Sequence, residues 1–214
     1  RPTSLLPRAP PPAYRPLMDA TSETPTWRGV NHLALVTPDM DATVRFWHGV
    51  LGARLVATIG TPGFRHYFFD VGPGNTIAFF EYTDQPLDSY AKPAGVPYAK
   101  ASQFDHLSLN LPDEDALLRL RDRLKSHDCE VTDVVDHGFI RSIYFSDPHG
   151  MALEASWWTL DATGRPVDFG DRRVFADDNP VPAVTELRES GALDHTVSTK
   201  LVPGIIEDVY RTNV

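Results

Sequence analysis

Val30-Asn-His-Leu-Ala-Leu35 is the stretch on which the fold turns, because it comes back as Phe104-Asp-His-Leu-Ser-Leu109. Both read as half-buried strands, and each sets one histidine, His32 and His106, near the start of an apolar alternating run. The residues after each copy then follow one order. A strand over 30–36 leads into Pro38-Asp39, a turn and helix start that Asp39 or Asp41 can cap. A helix is expected over 40–51, with Val44, Trp47 and Leu51 on its apolar side and Gly52 as its stop. Strands over 54–59, 64–71 and 76–82 come next, separated by the turn sequences Gly60-Thr-Pro-Gly63 and Gly72-Pro-Gly-Asn75.

A polar linker over 83–102 precedes the second copy. There the pattern predicts a strand over 105–111 and a helix over 113–126 carrying Leu117, Leu118, Leu120 and Leu124. Strand candidates lie near 130–135, 140–146 and 151–156. The fold class expected is α+β, built of two β-α-β-β-β modules. Its boundaries are a Pro-rich N-terminal tail over 1–28, a first module over 29–86, a linker over 87–103, a second module over 104–158 and a C-terminal extension over 159–214, all in one compact body.

The repeat extends to acidic residues. Glu81 follows His32 by 49 positions and Glu154 follows His106 by 48, so the histidines are offset by 74 and the glutamates by 73. A constant offset over a whole unit marks an internal repeat. Strand alternation places His32 with Ala34 and Val36, and Glu81 with Ile77 and Phe79, so both ionisable groups lie on largely apolar faces. An unpaired carboxylate in such a setting takes up a proton or finds a cation. Imidazole with carboxylate suits a divalent transition metal, and the expected ligands are His32, His106, Glu154 and, less firmly anchored, Glu81.

Composition narrows the partners. A formal net charge of −9 and a pI near 5.3 argue against nucleic acid and anionic membrane surfaces. The longest apolar runs fall far short of the roughly 20 residues of a membrane-spanning helix. Cys129, the only cysteine, excludes an intramolecular disulfide and a thiolate-rich site, which fits a cytoplasmic location. Pro2, Pro7, Pro10, Pro11 and Pro12 favour an extended tail, and Met18 reads as a candidate natural start.

These residues resemble the vicinal oxygen chelate superfamily, which includes glyoxalase I, extradiol ring-cleaving dioxygenases, fosfomycin-resistance enzymes and epimerases; the resemblance implies two modules forming a cupped mixed sheet around a central metal site. The resemblance covers about Trp27 to Trp158 and rests on the two hexapeptides and on Ser146-Asp-Pro-His-Gly-Met-Ala-Leu-Glu154. The longer stretch from Val135 to Glu154, with His137, Tyr144, Asp147-Pro148, Gly150 and Glu154 in order, resembles the signature of the extradiol dioxygenases. That resemblance implies His32, His106 and Glu154 as a facial triad for Fe(II), with His137 and Tyr144 as catalytic groups against substrate oxygens. It also implies O2 and a catechol-like small molecule as substrates.

Glu81 departs from that branch. Glyoxalase I and its relatives have four ligands at positions matching His32, Glu81, His106 and Glu154, which implies a lyase or isomerase with Zn, Ni, Co or Mn as alternative metals. Other relatives only sequester antibiotics. Many enzymes of this resemblance pair as dimers, so a homodimer is compatible, and the C-terminal extension is a candidate lid or dimer contact. Asp147-Pro148 and Gly150 read as a structural turn placing Glu154. His66 and His149 read as surface groups, His48 lies on a helix, Arg141 is a candidate for a substrate carboxylate, and Trp157 and Trp158 read as core.

Overall fold

The computed structural model describes residues 28–85, 87–97, 104–193, 198 and 199. The Pro-rich segment and Met18 lie outside the described residues. The first module runs β1 His32–Val36, α1 Met40–Val44, β2 Arg54–Gly60, β3 Phe64–Gly72 and β4 Asn75–Tyr82. The second runs β5 Leu107–Asn110, α2 Glu114–Ser126, β6 Val135–Asp136, β7 Ile140–Ser146 and β8 Ala152–Trp158. Their sheets have matching orders, β1-β4-β3-β2 and β5-β8-β7-β6. In each, the first strand pairs parallel with the last and the other pairings are antiparallel. This is the expected α+β fold of two β-α-β-β-β modules, and each module forms a four-stranded mixed sheet of its own.

Equivalent sequence devices start the two helices. Asp39 accepts the Ala42 N–H at 3.0 Å and Asp113 accepts the Ala116 N–H at 2.7 Å, each satisfying a free amide of the first turn. The first helix departs from expectation, because Arg45–Val50 winds as a π-helix. There Leu51 N–H reaches back to the Phe46 carbonyl at 2.9 Å, and the wider turn accompanies burial of two adjacent large rings, Phe46 and Trp47. A second departure is at 130–135, which contributes only a bridge from Val131 to Phe145 and the short β6. Thr132 Oγ1 accepts the Tyr144 N–H at 3.0 Å, so a side chain replaces the backbone carbonyl and the ladder stops.

One hydrophobic core serves both modules. Trp47, Phe69, Ile77 and Phe79 from the first form a single cluster with Leu117, Leu124, Ile143, Phe145 and Leu153 from the second. Arg123 on α2 reinforces the junction by donating to the Val50 carbonyl and, at 2.8 Å, to the Gly49 carbonyl. Because strand side chains alternate, the residues between these core positions occupy the other face of each sheet. On β1, Leu33 and Leu35 are half-buried while His32, Ala34 and Val36 are exposed.

The sequence reading expected one body through the C-terminal extension. The chain divides instead into a compact unit ending at Pro166 and a second beginning at Val167. The second contains α3 Pro182–Ser190, which ends at Gly191 in a left-handed conformation, φ 74°.

The turn before β8 is built as expected. Asp147 Oδ1 accepts the N–H groups of His149 and Met151, both at 2.9 Å, and Gly150 has φ +85°. A β-carbon on Gly150 would lie 2.7 Å from Ala91 Cα, so the linker presses directly on this turn. Gly150→Ala should therefore cost about 2 kcal/mol or more, read as a lowered urea midpoint, since strain and a backbone clash act together.

Candidate metal centre

The second sheet brings His106 and Glu154 together. Ser108 is registered with Glu154 across the parallel β5–β8 pair, and Tyr144 with Glu154 across β7–β8. His106 Nε2 and Glu154 Oε2 are 3.0 Å apart. Glu154 is only 7 % exposed. Burial pushes its carboxyl up, yet the hydroxyls of Ser142, Ser108 and Tyr144, and then the His106 ring, together hold it below the ordinary carboxylate range. Tyr144 in turn hydrogen-bonds His137 Nε2 at 2.8 Å. Burial, followed by the neighbouring Glu154 charge, raises the Tyr144 phenol above its usual value.

On its other ring nitrogen His106 meets Asp105, with Nδ1 2.6 Å from Oδ1. A carboxylate only accepts, so Nδ1 carries the proton. The ring then has a carboxylate at each nitrogen, which it satisfies with a second proton or with a cation taking the Nε2 lone pair. A separation of 3.0 Å also suits two ligands of one ion, because bonds of about 2.1 Å at right angles put the donor atoms about that far apart. The pair fits two positions of a divalent metal site by chemistry and by spacing.

The first sheet carries His32 in the equivalent place. His32 Nδ1 is 2.8 Å from Asn31 Oδ1, and its ring packs edge-on to Phe68 and near His66. His66, expected at the surface, is buried and stacked on Phe80 with centroids 3.6 Å apart. Its Nδ1–H donates to the Phe79 carbonyl at 3.2 Å. Burial lowers its pKa from the ordinary 6.5, with the carbonyl opposing and His32 adding to the shift.

Glu81 does not join His32. Leu33 pairs with Ile77 in the first sheet as Leu107 pairs with Leu153 in the second, so Ala78 holds the position that Glu154 holds. Glu81 lies three residues farther along β4, an odd step that turns it to the helix-bearing face. There its Oε1 accepts the Met40 N–H at 2.9 Å, at the start of α1, and its Oε2 pairs with Arg65. The offset of 73 read from the sequence thus paired two glutamates that are not structural equivalents. Among the described residues, no three His, Cys, Asp or Glu side chains gather closely enough to hold a metal ion.

The family model described as Glyoxalase/Bleomycin resistance protein/Dioxygenase superfamily matches residues 29–155, more than half of the chain. The chain belongs to this superfamily. The fold agrees with a crystal structure of the glyoxylase/bleomycin resistance protein/dioxygenase domain from Frankia sp. EAN1pec, at 22% identity and TM-score 0.53, covering 62% of this chain and 99% of that one. Similarity also extends to the antibiotic binding protein TnmS3 from Streptomyces sp. CB03234, at 15% identity and TM-score 0.49, covering 64% of this chain and 100% of that one. The fosfomycin resistance protein FosX from Listeria monocytogenes matches at 20% identity and TM-score 0.45, covering 64% of this chain and 98% of that one.

The remaining sequence candidates sort by their contacts. Arg141 is ion-paired with Glu114 at 2.6 Å and Asp136 at 3.0 Å. His48 is exposed and accepts the Leu55 N–H at 3.4 Å, and the Nε2 of His149 is buried. Trp157 packs against the core, and Trp158 lies on Phe139. Sequence reasoning missed Asn31 and Asp105, although both precede the histidines within the quoted hexapeptides. It also missed Ser108 and Ser156, whose hydroxyls bond at 2.8 Å. Tyr144 also lines a cavity of about 990 Å³ together with Lys92, Thr132 and Ala152. No described helix is long and apolar enough to cross a membrane.

Two outcomes follow for side chains of the first sheet. Glu81→Ala should lower unfolding stability by about 1–3 kcal/mol through the orphaned Met40 amide and Arg65, while metal uptake measured by elemental analysis stays as in the wild type. For His66 the folded pKa lies below the unfolded one, so folding favours the neutral ring. Its contribution is full above pH 6.5 and is lost as pH falls through the folded value. The wild type should accordingly lose more urea stability between pH 7.5 and 5 than His66→Gln does.

Proposed function

We propose that this chain is a metal-dependent dioxygenase that opens a catechol-like ring with O2, using His106 and Glu154 of one chain and His32 of a second copy. The observation that carries this reading is the register difference between the sheets. With Ala78 standing where the other sheet has Glu154, and Glu81 bonded on the opposite face, each chain contributes two histidines and one carboxylate. Two His and one carboxylate with open positions is the set associated with non-haem Fe(II) oxygenases, whereas a glyoxalase-type centre would need a second carboxylate. Homodimerisation is supported by the separation of His32 from the His106–Glu154 pair and by the exposed apolar groups Val36, Ile59 and Tyr82 on the first module.

Fe(II) held there would polarise two adjacent oxygens and give O2 a place beside the ring. The protein groups do the rest. His137 and Tyr144, sharing one hydrogen bond, can take and hold a proton from a diol hydroxyl. The stacked Tyr82, Phe80 and His66 rings of the first sheet supply a flat surface suited to an aromatic substrate. Thr132, beside Tyr144 in the cavity lining, gives it a polar point for a substituent.

Elemental analysis of protein purified anaerobically, followed by oxygen uptake with a catechol panel, tests the reaction. Near one iron per chain and a coloured ring-opened product are expected. One zinc, nickel or cobalt per chain would favour a lyase or isomerase, and no metal uptake would favour a binding protein. Mixing tests the shared site. His32→Ala and His106→Ala should each lose metal alone, and their mixture should regain about one site per mixed dimer. No regain would place the ligands within one chain.

A further inference from the structure

A second cavity, of about 390 Å³, lies where the two modules and the linker meet. The first module contributes Leu35 and Val36 to its lining, the second Phe104 and Met151, and the linker Leu87 and Tyr90. Such a wall is apolar and partly aromatic, which suits the flat body of a small organic molecule. Leu87 is 39 % exposed and Tyr90 38 %, apolar surface that an occupant would cover. Among the described residues the lining includes none of His32, His106, Glu154, His137 and Tyr144, and it shares with the larger cavity only Lys92 and Ala152.

One polar atom in this wall has nothing to bond. His149, from the turn ahead of β8, lines the cavity, and its Nε2 is buried without a hydrogen-bond partner. Leaving a buried ring nitrogen unpaired costs about 1–3 kcal/mol, so its position calls for a partner. The backbone here is fixed, since the His149 N–H donates to Asp147 Oδ1 at 2.9 Å and Gly150 abuts Ala91. The ring itself can turn toward an occupant, and side-chain rotation on binding is common.

Charge narrows what the occupant is. Lys92 is the only Lys or Arg among the described lining residues. Its ammonium donates to Asp105 Oδ2 at 2.7 Å and to the Asp105 and Pro93 carbonyls at 3.3 and 3.1 Å. The Gly95 N–H adds a bond to Asp105 Oδ1 at 2.7 Å. Lys92 is thus committed to its own neighbours, while Asp88 brings a further carboxylate to the lining, so an anionic ligand is disfavoured.

We propose that this cavity binds a small neutral molecule of the phenol class, with a flat apolar body and one hydroxyl, and that His149 Nε2 is the partner of that hydroxyl. A hydroxyl both donates and accepts, so it satisfies Nε2 in either tautomer of the ring. A carbonyl, which only accepts, would suit one tautomer alone. Because the linker forms part of the wall, the occupant also holds residues 87–92 in place. The inference goes beyond the ring-opening reading and does not rest on it, since a phenol has no second oxygen with which to chelate a metal.

The test is equilibrium dialysis of the full-length protein against 2-naphthol, uncharged at neutral pH, and against naphthalene, which lacks the hydroxyl. The wild type should bind 2-naphthol at one site per chain. His149→Phe keeps a flat ring and loses the nitrogen, so it should weaken 2-naphthol about 3–10-fold and leave naphthalene within about twofold. Ser89→Trp brings a large ring into the lining from an exposed position and should weaken both compounds about tenfold or more. Hydrogen exchange locates the site without a variant, because 2-naphthol should slow exchange over 87–92 in the wild type.

No binding of 2-naphthol by the wild type, or binding that leaves exchange over 87–92 unchanged, would overturn the proposal. Undiminished affinity in Ser89→Trp would place the binding elsewhere and overturn it as well. Equal weakening of both compounds in His149→Phe would remove the hydroxyl's partner and with it the assignment to phenols. None of these outcomes depends on metal content, which tests the ring-opening reading separately.

Discussion

Packing both sheets against one core uses up one face of each, and the chemistry of this chain depends on what is left on the other. Trp47, Phe69 and Phe79 meet Leu117, Ile143 and Leu153 in a single cluster. With strand side chains alternating, residues out of phase with those positions face away from the cluster. His32 on the first sheet and Glu154 on the second fall into that set, as do Ser108 and Tyr144. His32 does not join the His106–Glu154 pair, since among the described residues no three His, Cys, Asp or Glu side chains gather closely enough to hold a metal ion.

The two outer faces have different characters. On the second sheet hydroxyls surround a buried carboxylate and hold it charged, with His106 at one side and the Tyr144–His137 pair at another. The first sheet presents rings, with Tyr82 parallel to Phe80 and Phe80 stacked on His66. A polar face and an aromatic one are the two surfaces on which the proposed reaction draws. Superfamily membership and the fold stand independently of that reading, since they rest on residues 29–155 and on the matched sheet orders.

Local duplication accounts for much of this economy, and its failures are equally informative. Asp39 and Asp113 cap their helices in the same way, 74 residues apart. Asn31 and Asp105 repeat a contact with a change of charge. Ala78 and Glu154 share a position and differ entirely in chemistry, so the modules diverged in which one bears the carboxylate. Glu81, the apparent counterpart, became a helix-start acceptor instead.

The residues alone determined the two modules, their strand and helix order, a capping aspartate at the start of the first helix and the Asp147–Gly150 turn. All of these follow from local periodicity, turn chemistry and a repeat visible within the chain. Tertiary structure alone decided which face each ionisable group occupies and which of them meet. A strand's side-chain period is two, so a three-residue displacement along β4, invisible in an approximate offset, turned Glu81 away from His32. Burial of His66 and the π-wound turn at Phe46 and Trp47 likewise depend on neighbours distant in sequence. So does the linker's hold on Asp105, because Lys92 and Gly95 reach it only once the second module has folded beside them.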